Sequence, residues 1–310
     1  MTMRTDPSRK SPPSAVFVAT DFSAPADDAL RQAHARAQAR RAALIVCHVV
    51  PNQLGVNMLF PQRTVEQGNA QLALQERARH MLIERVVQVT GRAAEQFTAV
   101  VETGTPYGVI VEQAEHAGAD LIVLGDRGQT GVARAVLGSV AERVVRYAHC
   151  PVLIVRGGGA SQRILVATDL SDPSLPALGA AAHEAARTGA QVTALHCIQS
   201  AVTIVGQEYG LALAPPVTVD LAVETRERAE QRLTKAAHDV RLNGELRVVD
   251  GAPTETILST AKHIDADLIV IGTRGLTGLR RVVLGSVAEA VIRNASCSVL
   301  AVRLGSEPAQ

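Results

Sequence analysis

The chain has 310 residues, 47% hydrophobic and 20% charged, so it carries enough apolar surface for two cores and lacks the low hydrophobicity of a disordered protein. A net charge of +1, three tyrosines, four phenylalanines and no tryptophan argue against nucleic acid as a partner, since that role asks for a basic surface and stacking platforms. No apolar run approaches the roughly 20 residues that span a bilayer, and the polar opening MTMRTDPSRKSPPS lacks the apolar core of a signal peptide; both predict no membrane partner and a cytoplasmic location.

Taken in chain order, residues 1–13 read as a disordered tail. Strand-like runs follow near residues 15–20, 43–50, 96–101, 120–125 and 152–155, and helical periodicity fills the gaps between them. RGGGASQR, residues 156–163, is a glycine-serine linker whose middle, 157–162, separates a domain at 14–156 from another at 163–305. The second domain repeats the first: VFVATDFS (16–23) returns as ILVATDLS (164–171), and the closing CPVLIVR returns as CSVLAVR. Asp21 and Asp169 lie 148 residues apart and Gly125 and Gly272 lie 147 apart, a period too long for a solenoid unit and right for a tandem domain. The segments after the second strand of each half, residues 51–63 and 199–216, differ entirely and read as lids or contact surfaces.

Strands alternating with helices predict an α/β fold: two tandem doubly wound domains, each a five-stranded parallel sheet with helices on both faces. Runs such as LIVLG, apolar throughout, fit strands covered on both sides. With right-handed crossovers, strand order 3-2-1-4-5 sets the ends of strands one and four side by side at a switch point, where such sheets bind ligands. Asp21 and Gly125 end those two strands.

The glycine phrase GDRGQTGVARAVLGS (125–139) recurs as GTRGLTGLRRVVLGS (272–286), each between a strand and a helix. In Gly125-x-x-Gly128 and Gly272-x-x-Gly275, glycine permits positive φ and lets backbone amides close on an oxyanion. Gly138-Ser139 and Gly285-Ser286 then open a helix whose start favours negative charge. The alternative for these serines is a capping box, Ser139-Val-Ala-Glu142 and Ser286-Val-Ala-Glu289.

Asp21 and Asp169 either support the turn before Ser23 and Ser171, the expected N-caps of the first helices, or hold a ribose hydroxyl or magnesium at the crevice mouth. Arg127 and Arg274 either reach phosphate or stay solvated, and His48 and His196 read as core or turn residues. Asp126, where the second copy has Thr273, sets a carboxylate beside the presumed anion site and predicts weaker binding in the first half. Cys47, Cys150, Cys197 and Cys297 lack C-x-x-C spacing and read as buried free thiols. No metal site is expected from the protein alone.

The G-x-x-G-x9-G-S phrase, the V-A-T-D-x-S strand end and the closing C-P-V-L-I-V strand together resemble the universal stress protein family in its tandem form. The resemblance implies that ATP, with Mg possible beside it, lies across the switch point. Ala19, Thr20 and Asp21 would then border the adenosine, the Val49 backbone would meet the adenine edge, and Gly125, Gly128, Gly138, Ser139 and Val140 would hold the phosphates. The second copy supplies Ala167, Thr168, Asp169, Cys197, Gly272, Gly275, Gly285, Ser286 and Val287. Pairing through the last strands, residues 152–155 and 299–302, is also implied, as a dimer-like unit within the chain and as a route to a homodimer with an unidentified protein partner beyond it. The expected role is stress response or signalling by nucleotide-dependent conformation or association, with no enzyme activity: neither glycine loop has a lysine, and no general base with an orienting partner is found. A slow ATPase and a nucleotide-independent scaffold are the alternatives.

Overall fold

The computed structural model describes residues 14–51, 61–128, 137–157, 159, 161–199, 217–274 and 284–303, with the side chains of 61–69 and 217–222 left out. The expected tail at 1–13 and most of the two long loops lie outside the described residues. In the first half, strands β1 (Ala15–Ala19), β2 (Ala43–Val50), β3 (Thr98–Thr103), β4 (Leu121–Gly125) and β5 (Val152–Val155) alternate with helices α1 (Ala24–Arg40), α2 (Pro61–Thr90), α3 (Pro106–His116) and α4 (Ser139–Tyr147). In the second half, β6 (Arg163–Ala167), β7 (Gln191–Ile198), β8 (Glu245–Asp250), β9 (Leu268–Gly272) and β10 (Ser298–Val302) alternate with α5 (Pro176–Thr188), α6 (Val217–Asp239), α7 (Pro253–His263) and α8 (Ser286–Asn294).

All ten strands form one sheet in the order β3-β2-β1-β4-β5-β10-β9-β6-β7-β8, so each half has the predicted 3-2-1-4-5 order. Pairing is parallel within each half. The single antiparallel join is β5 with β10, where Leu153 faces Leu300. The last strands therefore satisfy each other inside one chain, and these two sheet edges are covered without a second copy.

Alternation along each strand builds two apolar layers. Phe17, Ile45 and Cys47 point into one, with α3, α4, α7 and α8 above them. Val16, Val18, Leu44 and Val46 point into the other, beneath α1, α2, α5 and α6. Because the sheet is covered on both faces, strands β1, β4, β5 and β9 are apolar throughout, and both layers run without a break from one half into the other. No described helix is long and apolar enough to cross a membrane.

The first helices start differently. Ser23 caps α1 as expected, its Oγ accepting from the Ala26 amide at 3.4 Å, with Pro25 in the first turn. Its counterpart Ser171 does not cap α5, whose N-cap is Leu175, five residues into a set of turns. The cause is Pro176, which has no N–H to give to the carbonyl four residues back and so fits only at a helix start. The first half has Asp28 at the matching place and winds sooner.

Candidate functional site: the switch-point crevices

At the carboxyl end of β1 the chain makes a tight turn held by its own side chains. Thr20 Oγ1 accepts from the Phe22 amide at 3.0 Å, and Asp21 Oδ1 accepts from the Ser23 amide at 3.1 Å. The second half repeats both bonds at Leu170 and Ser171, each at 3.0 Å. Asp21 and Asp169 thus do the turn-supporting work that was one of their two readings. The turn forces Phe22 to φ 66° and Leu170 to φ 58°, a left-handed conformation costly for bulky residues and present at the same place in both halves.

Two histidines brace these turns. His48 Nδ1 lies 2.8 Å from the Thr20 carbonyl oxygen, and His196 Nδ1 lies 2.9 Å from that of Thr168. A carbonyl only accepts, so Nδ1 carries the proton and donates, which ties β2 and β7 to the turn. The Phe22 ring leans on His48 with centroids 4.5 Å apart. Both are turn residues, one of their two readings from sequence, and they recur at one spacing from Asp21 and Asp169.

Beyond the last residue of β1, β2 runs on alone on that side. Register ends at Ala19 with Cys47, whereas β2 stays paired to β3 as far as Val50 with Thr103. The β1 side of the backbone near Val49 therefore opens toward the crevice. Cys197 has the same overhang, β6 stopping at Ala167 with Leu195 while β7 pairs β8 to Ile198. Burial pushes the Cys197 thiol up to about 11, so it is neutral near pH 7.

Opposite the turn lies the glycine phrase. None of Gly125, Gly128, Gly138, Gly272 or Gly285 adopts positive φ, so the conformational reason expected for them is corrected. Proximity explains them instead. A Cβ on Gly125 would lie 2.8 Å from both the carbonyl carbon and oxygen of Pro25, and one on Gly272 would lie 3.0 Å from Ser174 Cα. The absent side chains let the helix starts press onto β4 and β9. A Cβ on Gly128 would overlap Asp21 Oδ2, so the two motifs meet at one point. Gly275 lies outside the described residues, as do 129–136 and the rest of 275–283.

The loop returns to its origin. The Gly138 amide donates to the Asp126 carbonyl at 2.8 Å, and the Gly285 amide donates to that of Thr273 at 2.9 Å. These two amides are turned inward, each closing its own loop. Gly138 and Gly285 are themselves the N-caps of α4 and α8, and no side chain caps either helix. The capping box does not form because each serine sits one place too late, in the first turn. Glu142 and Glu289 turn away to arginines, Arg293 at 3.1 Å and Arg146 at 3.4 Å. Two helix starts are left with uncapped amides, an exposed Ser139 or Ser286 and a half-buried Val140 or Val287.

The loop arginines differ. Asp126 is 7% exposed and is held by Arg127 at 3.3 Å and Arg156 at 3.5 Å. Its charge is thus matched, and the simple repulsion expected of it does not apply; what it does is hold Arg127 back. Arg274 follows the uncharged Thr273 and has no hydrogen-bond or ion-pair partner among the described residues. Arg156 also donates to the carbonyls of Ile292 at 2.7 Å and Cys297 at 3.3 Å, at the far end of α8, while burial lowers its pKa against the pull of Asp126. Among the described residues no three metal-ligating side chains gather into a metal site.

A turn, a strand overhang and an uncapped helix start, brought together at the carboxyl ends of β1 and β4 and again of β6 and β9, define a tandem doubly wound protein with two switch-point crevices. The model of the universal stress protein family matches residues 14–156 and 160–303, and the chain belongs to that family. Universal stress protein MJ0531 of Methanocaldococcus jannaschii is 34% identical over 161 residues, 51% of this chain and 92% of its own length. Universal stress protein Mb2019 of Mycobacterium bovis is 30% identical across 74% of each chain. In fold, the chain is similar to a universal stress protein from Archaeoglobus fulgidus, with a TM-score of 0.62 at 21% identity over 94% of this chain and 98% of that one.

Proposed function

We propose that this chain is an ATP-binding universal stress protein acting in stress response or signalling, and that occupancy of its crevices changes the exposed loops or the association of chains, and with them the binding of a protein partner. The observation that carries this reading is the pair of uncapped helix starts at Gly138-Ser139 and Gly285-Ser286, each tied to the end of β4 or β9, next to the strand whose end carries the Asp21 or Asp169 turn. An uncapped start presents several N–H donors and the positive end of a dipole, which suits a phosphate. The Ser139 or Ser286 hydroxyl adds a donor, the backbone beside Val49 or Cys197 offers main-chain groups to an adenine edge, and the aspartate offers an acceptor to a ribose hydroxyl. Magnesium, where present, would arrive with the phosphates. Binding is the proposed output, with hydrolysis no part of it.

The second crevice is proposed as the tighter one, because Arg274 is available to a phosphate while Arg127 is engaged by Asp126. Calorimetric titration of ligand-stripped protein with ATP and Mg²⁺ should resolve two unequal sites. Arg274→Ala should weaken the stronger by about tenfold, the worth of one charge-assisted hydrogen bond, and Asp126→Thr should draw the weaker toward it. Absence of heat and of any competition by ATP at millimolar concentration would refute the reading.

A further inference from the structure

The join between the halves has an approximate two-fold axis passing between Leu153 and Leu300, which face one another and hold the same place in their copies. On one side of the sheet the axis relates like to like. Arg146 meets Glu289 at 3.4 Å, and their counterparts Arg293 and Glu142 meet at 3.1 Å. On the other side, where α1 approaches α5, counterparts are unlike. Arg36 and Glu184 are the same position 148 residues apart, and they touch each other: Arg36 Nη2 donates to Glu184 Oε2 at 3.2 Å, with both side chains 2% exposed. Arg187 at 2.6 Å and Arg40 at 3.6 Å also reach Glu184, so the carboxylate is the hub of the buried cluster.

A residue lying on a two-fold axis meets its own copy in any symmetric pairing through that face. Two first halves joined this way would bury Arg36 against Arg36 with Arg40 close by, whereas two second halves would bring together two Glu184, each keeping its own Arg187 but without Arg36. Like charges taken out of water repel strongly and have no solvent to screen them. Only a first half with a second half puts opposite charges on the axis. The β5 and β10 edges offer no such choice, since their facing residues are interchangeable aliphatics.

We propose that Arg36 and Glu184 are the pairing code of the two halves, making a first half accept a second half and reject its own kind. Its consequence is that the two unlike crevices always share one unit. The selectivity comes from the penalty on wrong pairs, which is the use to which a buried ion pair is best suited given its small net stabilisation of the right one.

The test uses full-length chains carrying Arg36→Glu, Glu184→Arg, or both. Each single variant has like charges at its axis and should lose the compact form in small-angle scattering, whereas the double variant, which restores opposite charges at the axis but sets the arginine placed at position 184 beside Arg40 and Arg187, should regain the parental size and part of the lost melting temperature. An equimolar mixture of the two single variants, refolded together, can exchange halves so that every axis again holds one arginine and one glutamate. Native mass spectrometry should then find two-chain species containing one of each variant in clear excess over species containing two of the same. The proposal is overturned if the mixed species shows no excess, or if the double variant is as damaged as the singles. Should the single variants be recovered only as insoluble protein, the double variant decides alone: soluble protein of parental size supports the code, and insolubility or loss of that size sinks it.

Discussion

At Gly125 the phosphate motif and the packing of the fold make the same demand, and the structure separates them. The missing Cβ admits the Pro25 carbonyl, so the first need for glycine there is the approach of α1 to β4. Gly125→Ala is expected to destabilise the protein by about 1–3 kcal/mol, as overpacking against rigid backbone does, measured by chemical denaturation; an unchanged midpoint would show that α1 can shift at no cost. Asp126 teaches a related lesson. One carboxylate beside an anion site reads as repulsion in a sequence, yet with Arg127 and Arg156 around it the effect becomes the capture of an arginine. The histidines were visible as a repeated pair, but that their Nδ1 atoms brace the Thr20 and Thr168 carbonyls depends on the strand overhang that carries them there.

Among the elements, strands were the legible part. Five were expected in the first half and found with ends shifted by two residues or fewer, β3 (Thr98–Thr103) being the most displaced. Apolar runs covered on both faces leave little choice of structure. Helix starts were less legible, because a cap is a matter of one residue: Ser139 and Ser286 stand one place inside the helices they were expected to cap, and Pro176 delays α5. Helix ends offer a test by comparing the halves. Arg41, at the C-cap of α1, has φ 52° and ψ 35°, where the second half places Gly189 with φ 72°. A left-handed arginine costs roughly 1–2 kcal/mol, partly offset by the chain entropy that glycine loses on folding. Arg41→Gly is therefore expected to stabilise by about 0.5 kcal/mol, read as a rise in melting temperature, and a fall would mean that the arginine side chain contributes more than its backbone costs.

The whole molecule is one sheet with two cores that cross the join, so the contact between halves is part of the fold itself. Its buried carboxylate makes that contact sensitive to acid. Burial pushes the Glu184 carboxyl up, but Arg36, Arg187 and Arg40 together outweigh it and hold the group below the ordinary range. A carboxylate whose folded pKa is depressed contributes stability that is complete above its unfolded value, roughly 4.3, and lost as pH falls through the folded one. Asp120, 3.9 Å from Arg40, belongs to the same network. Scattering and melting curves should thus show the halves loosening below about pH 4, with a flatter acid limb in Glu184→Gln; identical acid limbs in the two proteins would place the sensitivity elsewhere.

The sequence by itself determined the tandem repeat, the strand order and with it the switch point of each half. Those follow from period, from apolar runs and from glycine spacing, all short-range properties that each half states twice. Tertiary structure decided which atoms at the crevices remain open: inward-turned Gly138 and Gly285 amides, a captured Arg127 and an Arg274 without a hydrogen-bond or ion-pair partner among the described residues cannot be read from spacing. It also decided which half faces which, through Arg36 and Glu184. Hydrogen bonds and ion pairs join residues more than a hundred positions apart, and in water-excluded places their strength depends on burial that only the folded chain creates.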